Sequence, residues 1–252
     1  MAGEVAVVLA AGKGTRMKSD LPKVLFPVCG RPMIHFVLDA LNKAGIGEQI
    51  VVVGHRADDV REELKGRPGN VRFALQAEQL GTGHAVQVCR EQLAGHEGPV
   101  LVLAGDSPLL QPDSLRKLLE HFHRTRPGLL LGTLKKDDPQ GLGRIVRDDA
   151  GNFLKIVEEK DATDQQRQIN EVNMSTYLFD GPALLKALDR LDNDNAQGEY
   201  YLTDTVALLR DAGHAVEALP VLQSCESLSI NDRDELALVD ATMRQMGYAD
   251  DA

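Results

Sequence analysis

A chain of 252 residues with 43% hydrophobic composition is long enough for one large α/β domain or two small ones, and it can fill a core. Its formal charge of −10 argues against a nucleic-acid partner, because neutralising a phosphate backbone calls for a basic surface. Cys29, Cys89 and Cys225 lie far apart with no C-x-x-C pair, which suggests neither a disulfide framework nor a zinc site; with no signal-peptide pattern and no run of membrane-spanning length, a soluble, unexported, cytoplasmic protein is expected.

Val5, Val7, Val8 and Leu9 form a short apolar run suited to a strand buried on both faces. Ala10, Ala11, Gly12 and Gly14 follow, and their small side chains let an anion approach backbone N–H groups. Thr15 adds a hydroxyl, and Lys13, Arg16 and Lys23 add positive charge, so the stretch reads as a polyphosphate cradle. A P-loop read on Gly12-Lys13 would need glycine at Val7 and a hydroxyl residue at Gly14, and a dinucleotide fingerprint from Gly12 would need a small residue at Met17. Neither motif is present. A plain strand-turn with surface charges is the other reading of these residues.

Residues 32–44 place Ile34, Val37, Leu38 and Leu41 on one helical face, with Gly45 and Gly47 as stop signals. Residues 50–53 and 71–75 read as buried strands, with a short helix at 57–64 between them. This alternation implies a parallel sheet with helices on both faces, in which ligands bind beyond the carboxyl ends of the strands. After the third strand comes Gln76-Ala77-Glu78-Gln79-Leu80-Gly81-Thr82-Gly83-His84, opening a helix expected to run through Glu91. The Gln76 amide carries both donor and acceptor and so can match a pyrimidine edge; a polar surface loop that starts a helix is the other reading. The strand at 100–103 runs into Ala104-Gly105-Asp106-Ser107-Pro108, placing a carboxylate where magnesium could be held, or where a turn is capped. Residues 112–122 form a helix with Leu115, Leu118, Leu119 and Phe122 inward, and His121 and His123 read as surface residues.

From Leu129 the pattern changes, with strands at 129–134 and 153–157 and a glycine pair, Gly141 and Gly143, before Ile145-Val146; this half is expected to cover the site. Glu158 and Asn173 offer an acceptor and an amide to sugar hydroxyls, or are ordinary polar residues at strand edges. Residues 195–204, N-A-Q-G-E-Y-Y-L-T-D, precede a helix that Thr203 or Asp204 would cap. Ser229-Ile230-Asn231-Asp232 precede a final helix whose Leu236, Val239, Met243 and Met246 read as core.

Taken together, L-A-A-G-K-G-T-R-M, the later L-P-K, Q-A-E-Q-L-G-T-G-H-A, G-D-S-P-L and N-A-Q-G-E-Y-Y-L-T-D resemble the uridylyltransferase domain of the bacterial bifunctional N-acetylglucosamine-1-phosphate uridylyltransferases, over nearly the whole chain. The resemblance implies one Rossmann-like α/β nucleotidyltransferase domain over 1–252, with a nucleotide-binding half at 1–128, a sugar-binding half at 129–230 and a C-terminal helix at 231–252. It implies transfer of a uridylyl group from UTP to N-acetylglucosamine 1-phosphate, a step in supplying a cell-wall precursor. It further implies that Leu9, Ala10, Ala11, Gly12, Gln76, Gln79, Gly81, Thr82, Ala104, Gly105 and Asp106 hold the nucleotide, and that catalytic Arg16 and Lys23 hold its phosphates. Asp106 and Asn231 would hold Mg2+, and Gly143, Glu158, Asn173, Tyr201 and Thr203 the sugar.

The residues agree with that chemistry. A sugar phosphate oxygen is already an anionic nucleophile, so no general base is needed, and none stands out. Another sugar or nucleotide on the same fold is the alternative, and a non-catalytic sugar-nucleotide sensor is a further one. Met174 and Ser175 stand where relatives usually have Thr and Gly, and Ala104 where they have Tyr, so looser discrimination between N-acetylglucosamine 1-phosphate and glucose 1-phosphate is expected. The hexapeptide repeats of the family's acetyltransferase and trimerisation domain are absent from the sequence given, so neither acetyl transfer nor that trimer is expected of it.

Overall fold

The computed structural model describes residues 3–195 and 197–249. Ala196 of the 195–204 stretch and both ends of the expected 1–252 domain lie outside the described residues. The opening apolar run forms β1 (Val5–Leu9), followed by a small ribbon of β2 (Pro27–Val28) and β3 (Arg31–Pro32). Next come α1 (Met33–Lys43), β4 (Glu48–Val53), α2 (Ala57–Glu63) and β5 (Asn70–Leu75). Then α3 (Thr82–Gln87) and α4 (Arg90–Leu93) lead to β6 (Pro99–Ala104), α5 (Pro112–Thr125) and β7 (Leu129–Lys135). A hairpin of β8 (Arg144–Arg147) and β9 (Phe153–Val157) precedes α6 (Asp164–Arg167), β10 (Glu171–Asp180) and α7 (Gly181–Leu188). The chain closes with α8 (Thr205–Asp211), β11 (Val216–Pro220) and α9 (Arg233–Gln245).

The main sheet runs β11-β7-β10-β6-β1-β4-β5. Strands β1, β4, β5 and β6 pair in parallel, as do β7 and β11, while β10 is antiparallel to both β6 and β7. The α/β class and the mostly parallel sheet expected from the sequence are therefore observed. Alternate residues of each central strand feed opposite cores, as the two-residue period requires. Ala6, Val8, Val51, Val53, Leu101 and Leu103 join one apolar cluster, whereas Val5, Val7, Ile50, Val52, Val100 and Val102 join the other. A strand wedged between two helical layers has no polar face, which is why these runs are continuously apolar. In α1, Ile34, Val37, Leu38 and Leu41 are fully buried, as their helical spacing predicts.

Several expectations need correction. The single helix expected to run through Glu91 is two short helices, because the Cys89 N–H bonds to Val86 one residue tighter than in an α-helix. Asp204 stands at the start of α8 but its side chain makes no capping bond, nor does that of Thr203; the Thr205 hydroxyl bonds back to the Leu202 carbonyl instead. Asp232 does cap α9, accepting from the Asp234 and Glu235 N–H groups. Val239 and Met243 of α9 are buried, but Met246 lies past its last turn and is 44% exposed. His121 is half-buried against Glu217 at 2.6 Å, while His123 is exposed and meets Glu4 at 2.9 Å. Leu119 is only partly buried. None of the three cysteines is in a disulfide, and among the described residues no helix is long and apolar enough to cross a membrane.

Candidate functional site

The carboxyl ends of β1, β4, β5 and β6 lie side by side, and the loops leaving them are laced together. The Ala10 N–H bonds to the Val52 carbonyl, the Gly105 N–H to the Leu9 carbonyl and the Gln76 N–H to the Val53 carbonyl. Beyond this rim the N–H groups of Ala11, Gly12 and Lys13 have no hydrogen-bond partner among the described residues. Three successive free N–H groups after a strand are a concave anion binder. Gly14 sits at φ +64°, a left-handed conformation, and a Cβ there would lie 2.9 Å from Cβ of Lys23, so glycine is needed for the lysine stem to pass. A short helical turn at Thr15–Met17 follows, anchored by fully buried Met17, and leaves Arg16 exposed with no partner among the described residues.

Lys23 reaches a different place from the other cations. Its Nζ donates to Asp106 Oδ2 at 2.5 Å and to Asn231 Oδ1 at 2.7 Å, so the two residues expected to hold a metal converge on one cationic atom. The arrangement is supported from behind. The Ile230 N–H bonds to the Asp106 carbonyl, and Asn231 Nδ2 donates to Ser229 Oγ at 3.2 Å, which aims Oδ1 at the seat. Glu235 accepts from the Asn231 N–H at 2.6 Å. Two hard oxygens facing a single positive point match what magnesium asks of a protein, since it takes one or two protein groups and completes its shell with water and phosphate. Among the described residues no cluster of three or more acidic, histidine or cysteine ligands exists, so a cation there would depend on substrate oxygens.

The glutamine loop and the tyrosine segment, far apart in sequence, are stitched to one another. The Gly83 N–H bonds to the Tyr200 carbonyl at 2.7 Å, the Tyr200 N–H to the Leu80 carbonyl at 2.8 Å, and the Leu202 N–H to Thr82 Oγ1 at 3.1 Å. Gly81, at φ +103°, allows this approach: a Cβ would stand 2.5 Å from the Tyr200 carbonyl. Gln79 Nε2 donates to the Ala11 carbonyl at 2.6 Å, tying the loop to the phosphate cradle. Gln79 and Thr82, expected at the nucleotide, are thus engaged with the protein itself. Gln76 is buried, and its Nε2 donates to the Gly81 carbonyl at 3.1 Å.

Tyr201 and Thr203 alternate with Tyr200 and Leu202 along the chain, and they line a cavity of about 1160 Å³ together with Glu158. Lys155 and Arg210 line it as well. Gly143 and Asn173 do not line this cavity, but the Asn173 N–H bonds to the Gly143 carbonyl at 2.8 Å, and a Cβ on Gly143 would lie 3.4 Å from Glu158 Oε1. Asn173 Nδ2 donates to the Tyr177 hydroxyl at 2.9 Å, and Asn173 Oδ1 accepts from the Ser175 N–H at 3.2 Å. The Asn173 amide keeps one further donor and one further acceptor site for a ligand. Tyr177 escaped the sequence reading because its position in an apolar strand reads as core. Burial, reinforced by the Glu158 charge, holds its hydroxyl above the usual tyrosine range.

Met174 and Ser175 form a bulge, since β10 gains residues against β7 between Asn173 and Thr176. Met174 is partly buried and packs against the apolar cluster containing Leu130 and Val172, and Ser175 is exposed at φ +52°. An L-residue held there is strained by about 1 kcal/mol, partly offset by the chain entropy that glycine loses on folding. Ser175→Gly is therefore expected to stabilise the fold by about 0.5 kcal/mol, measured by urea denaturation. A lower midpoint would show that the side-chain hydrogen bond from Ser175 to Tyr177 outweighs the strain.

Comparison with known proteins gives this geometry a family. The profile of the MobA-like NTP transferase domain matches residues 6–206. The chain belongs to the MobA-like NTP transferase family. Its fold matches, with a TM-score of 0.79 over 98% of each chain at 19% identity, a Bacillus anthracis protein provisionally named a glucose-1-phosphate thymidylyltransferase and solved in complex with sucrose. The nucleotidyltransferase fold expected from the sequence is thus observed. Among curated proteins, the chain is 47% identical over 240 residues to the bifunctional protein GlmU of Exiguobacterium sp. and 46% identical over 245 residues to that of Listeria innocua. These alignments take in 95% and 97% of the chain but 52% and 53% of the relatives, so the chain spans about half the length of the curated relatives it matches. The family profile stops short of Asn231, so the second half of the cation seat rests on this structure.

Proposed function

We propose that the chain transfers the uridylyl group of UTP to N-acetylglucosamine 1-phosphate, releasing pyrophosphate, with residues 1–128 holding the nucleotide, 129–230 the sugar and 231–252 contributing Asn231. The observation that carries the nucleotidyl-transfer reading is the meeting of Asp106 and Asn231 oxygens on one cationic point, beside a loop whose free N–H groups await phosphate. In this reading Asp106 and Asn231 would hold magnesium, which would neutralise charge on the pyrophosphate as it leaves. The loop N–H groups and Arg16 bind the β- and γ-phosphates, and Lys23 exchanges its carboxylate partner for a phosphate oxygen. Glu158, Thr203 and Asn173 orient the sugar so that its phosphate oxygen lies in line with the α-phosphorus. Alignment and charge are what phosphoryl transfer asks of a protein, and it fits that no nucleophile–histidine pair stands out in the sequence.

UTP and N-acetylglucosamine 1-phosphate are preferred because the motif resemblance and the alignment to the GlmU proteins span nearly the whole chain. A thymidylyl transfer on the same scaffold is the second reading, because the free acceptor of Gln76 suits thymine as well as uracil. The test is pyrophosphate release from UTP, dTTP, CTP, ATP and GTP, each with N-acetylglucosamine 1-phosphate and glucose 1-phosphate. UTP with N-acetylglucosamine 1-phosphate is expected to give the highest kcat/KM, and a higher value for dTTP or for glucose 1-phosphate would replace that assignment.

A further inference from the structure

An isolated glutamine amide can meet either a donor or an acceptor on a base. In this fold that ambivalence is removed. Gln76 Nε2 lies 3.1 Å from the Gly81 carbonyl and 3.2 Å from Nδ1 of His84. A backbone carbonyl can only accept, so Gly81 favours the amide with its nitrogen inward, and the bond to His84 is the second one that holds it there. The second proton on that nitrogen then points at His84, so Nδ1 accepts and the imidazole carries its proton on Nε2. Both donors of Gln76 are thereby engaged, and Oε1, which has no hydrogen bond among the described residues, is what remains to face a ligand.

His84 is itself held in place. It stands in the first turn of α3, half-buried, with its ring 6.2 Å from that of Tyr200 at an interplanar angle of 35°. Tyr200 is fixed by main-chain bonds to both Leu80 and Gly83. The tyrosine segment therefore backs His84, and His84 backs Gln76.

Resting on the nucleotide site proposed above, we infer that His84 is a positioning residue for base selection: by occupying the second donor of Gln76 it leaves an acceptor-only edge, which takes a base with a ring N–H and rejects one with a ring lone pair. Uracil and thymine carry that N–H, and cytosine presents a lone pair in its place. Where His84 cannot accept, one hydrogen bond rather than two holds the amide; an amide turned over presents its N–H to cytosine, and discrimination falls.

The experiment compares kcat/KM for UTP and CTP, with N-acetylglucosamine 1-phosphate as acceptor, in the unmodified protein, His84→Phe and His84→Asn. Phe keeps the ring without an acceptor, whereas Asn Oδ1 can stand where Nδ1 stood. The UTP:CTP ratio is expected to fall about tenfold or more in His84→Phe and to recover in His84→Asn, as for a hydrogen bond that discriminates. A histidine with a merely structural role would lower both nucleotides together, and a ratio within about twofold of the unmodified protein overturns the inference. Should His84→Phe not fold, His84→Ala removes the same acceptor without bulk and is judged by the same ratio. If no nucleotide supports turnover, the proposed function fails, and the ratio of UTP and CTP dissociation constants, measured by calorimetry, still decides the role of His84.

Discussion

Asp106→Asn and Asn231→Ala are each expected to lower magnesium-dependent turnover by about 10²-fold or more, the usual cost of removing one preorganised electrostatic contact. Asp106→Asn keeps the size and one oxygen of the side chain but removes the charge that draws a cation to the seat. Asn231→Ala removes the other oxygen, which Ser229 holds in aim. Folding should survive both. The loop that carries Asn231 is pinned by main-chain contacts, the Ile230 N–H to the Asp106 carbonyl and the Asn231 N–H to Glu235, that neither change touches. The Lys23–Asp106 pair is partly exposed, with side chains 14% and 21% accessible, and Lys23 keeps its bond to Asn231 when the Asp106 charge is removed, so the cost should stay at about 1–2 kcal/mol. The check is kcat over a magnesium series alongside urea denaturation. A near-normal rate for Asp106→Asn at ordinary magnesium would remove the metal assignment, and a matching collapse in stability would make both residues structural.

The parts of this fold that could be read from the sequence are those where one local pattern has one physical solution. The continuous apolar run of Val5–Leu9 has no polar face, and only a strand covered on both sides satisfies it. The glycine-rich loop after it likewise announced backbone N–H groups left open. What could not be read were contacts between distant segments. Nothing local to Gln79 shows that its amide reaches the Ala11 carbonyl, or that Thr82 accepts from Leu202, 120 positions along the chain. The Lys23 ammonium between Asp106 and Asn231 is of the same kind: three residues on three loops meet only because β1, β6 and the start of α9 are neighbours. Caps failed for a simpler reason. Asp204 has the right chemistry and position, but its backbone is already helical, so its side chain cannot reach back to the free N–H groups of α8. The sequence likewise could not show that Met174 and Ser175 form a bulge, with Met174 packed against the apolar cluster.

Arg16→Ala is expected to lower kcat by about 10²-fold while the KM for UTP changes little, because the guanidinium meets a charge that grows as the bond to pyrophosphate breaks. Three features of the loop support a role in the reaction rather than in the fold. Arg16 is exposed and has no ion pair or hydrogen bond among the described residues, so its removal strands no partner. The residue after it, Met17, is fully buried and anchors the short turn. Left-handed residues, Gly14 at φ +64° and Lys18 at φ +51°, flank the turn and fix where it points. Arginine suits the task because its planar fork can bind two phosphate oxygens at once, so Arg16→Lys, keeping the charge but not the fork, should recover only part of the rate. The measurement is steady-state kinetics with UTP varied at saturating sugar phosphate, together with a denaturation curve expected to overlay that of the unmodified protein. If only the KM for UTP rises, Arg16 binds ground state and transition state equally, and stabilisation of the leaving pyrophosphate must come from the loop N–H groups and the cation seat instead.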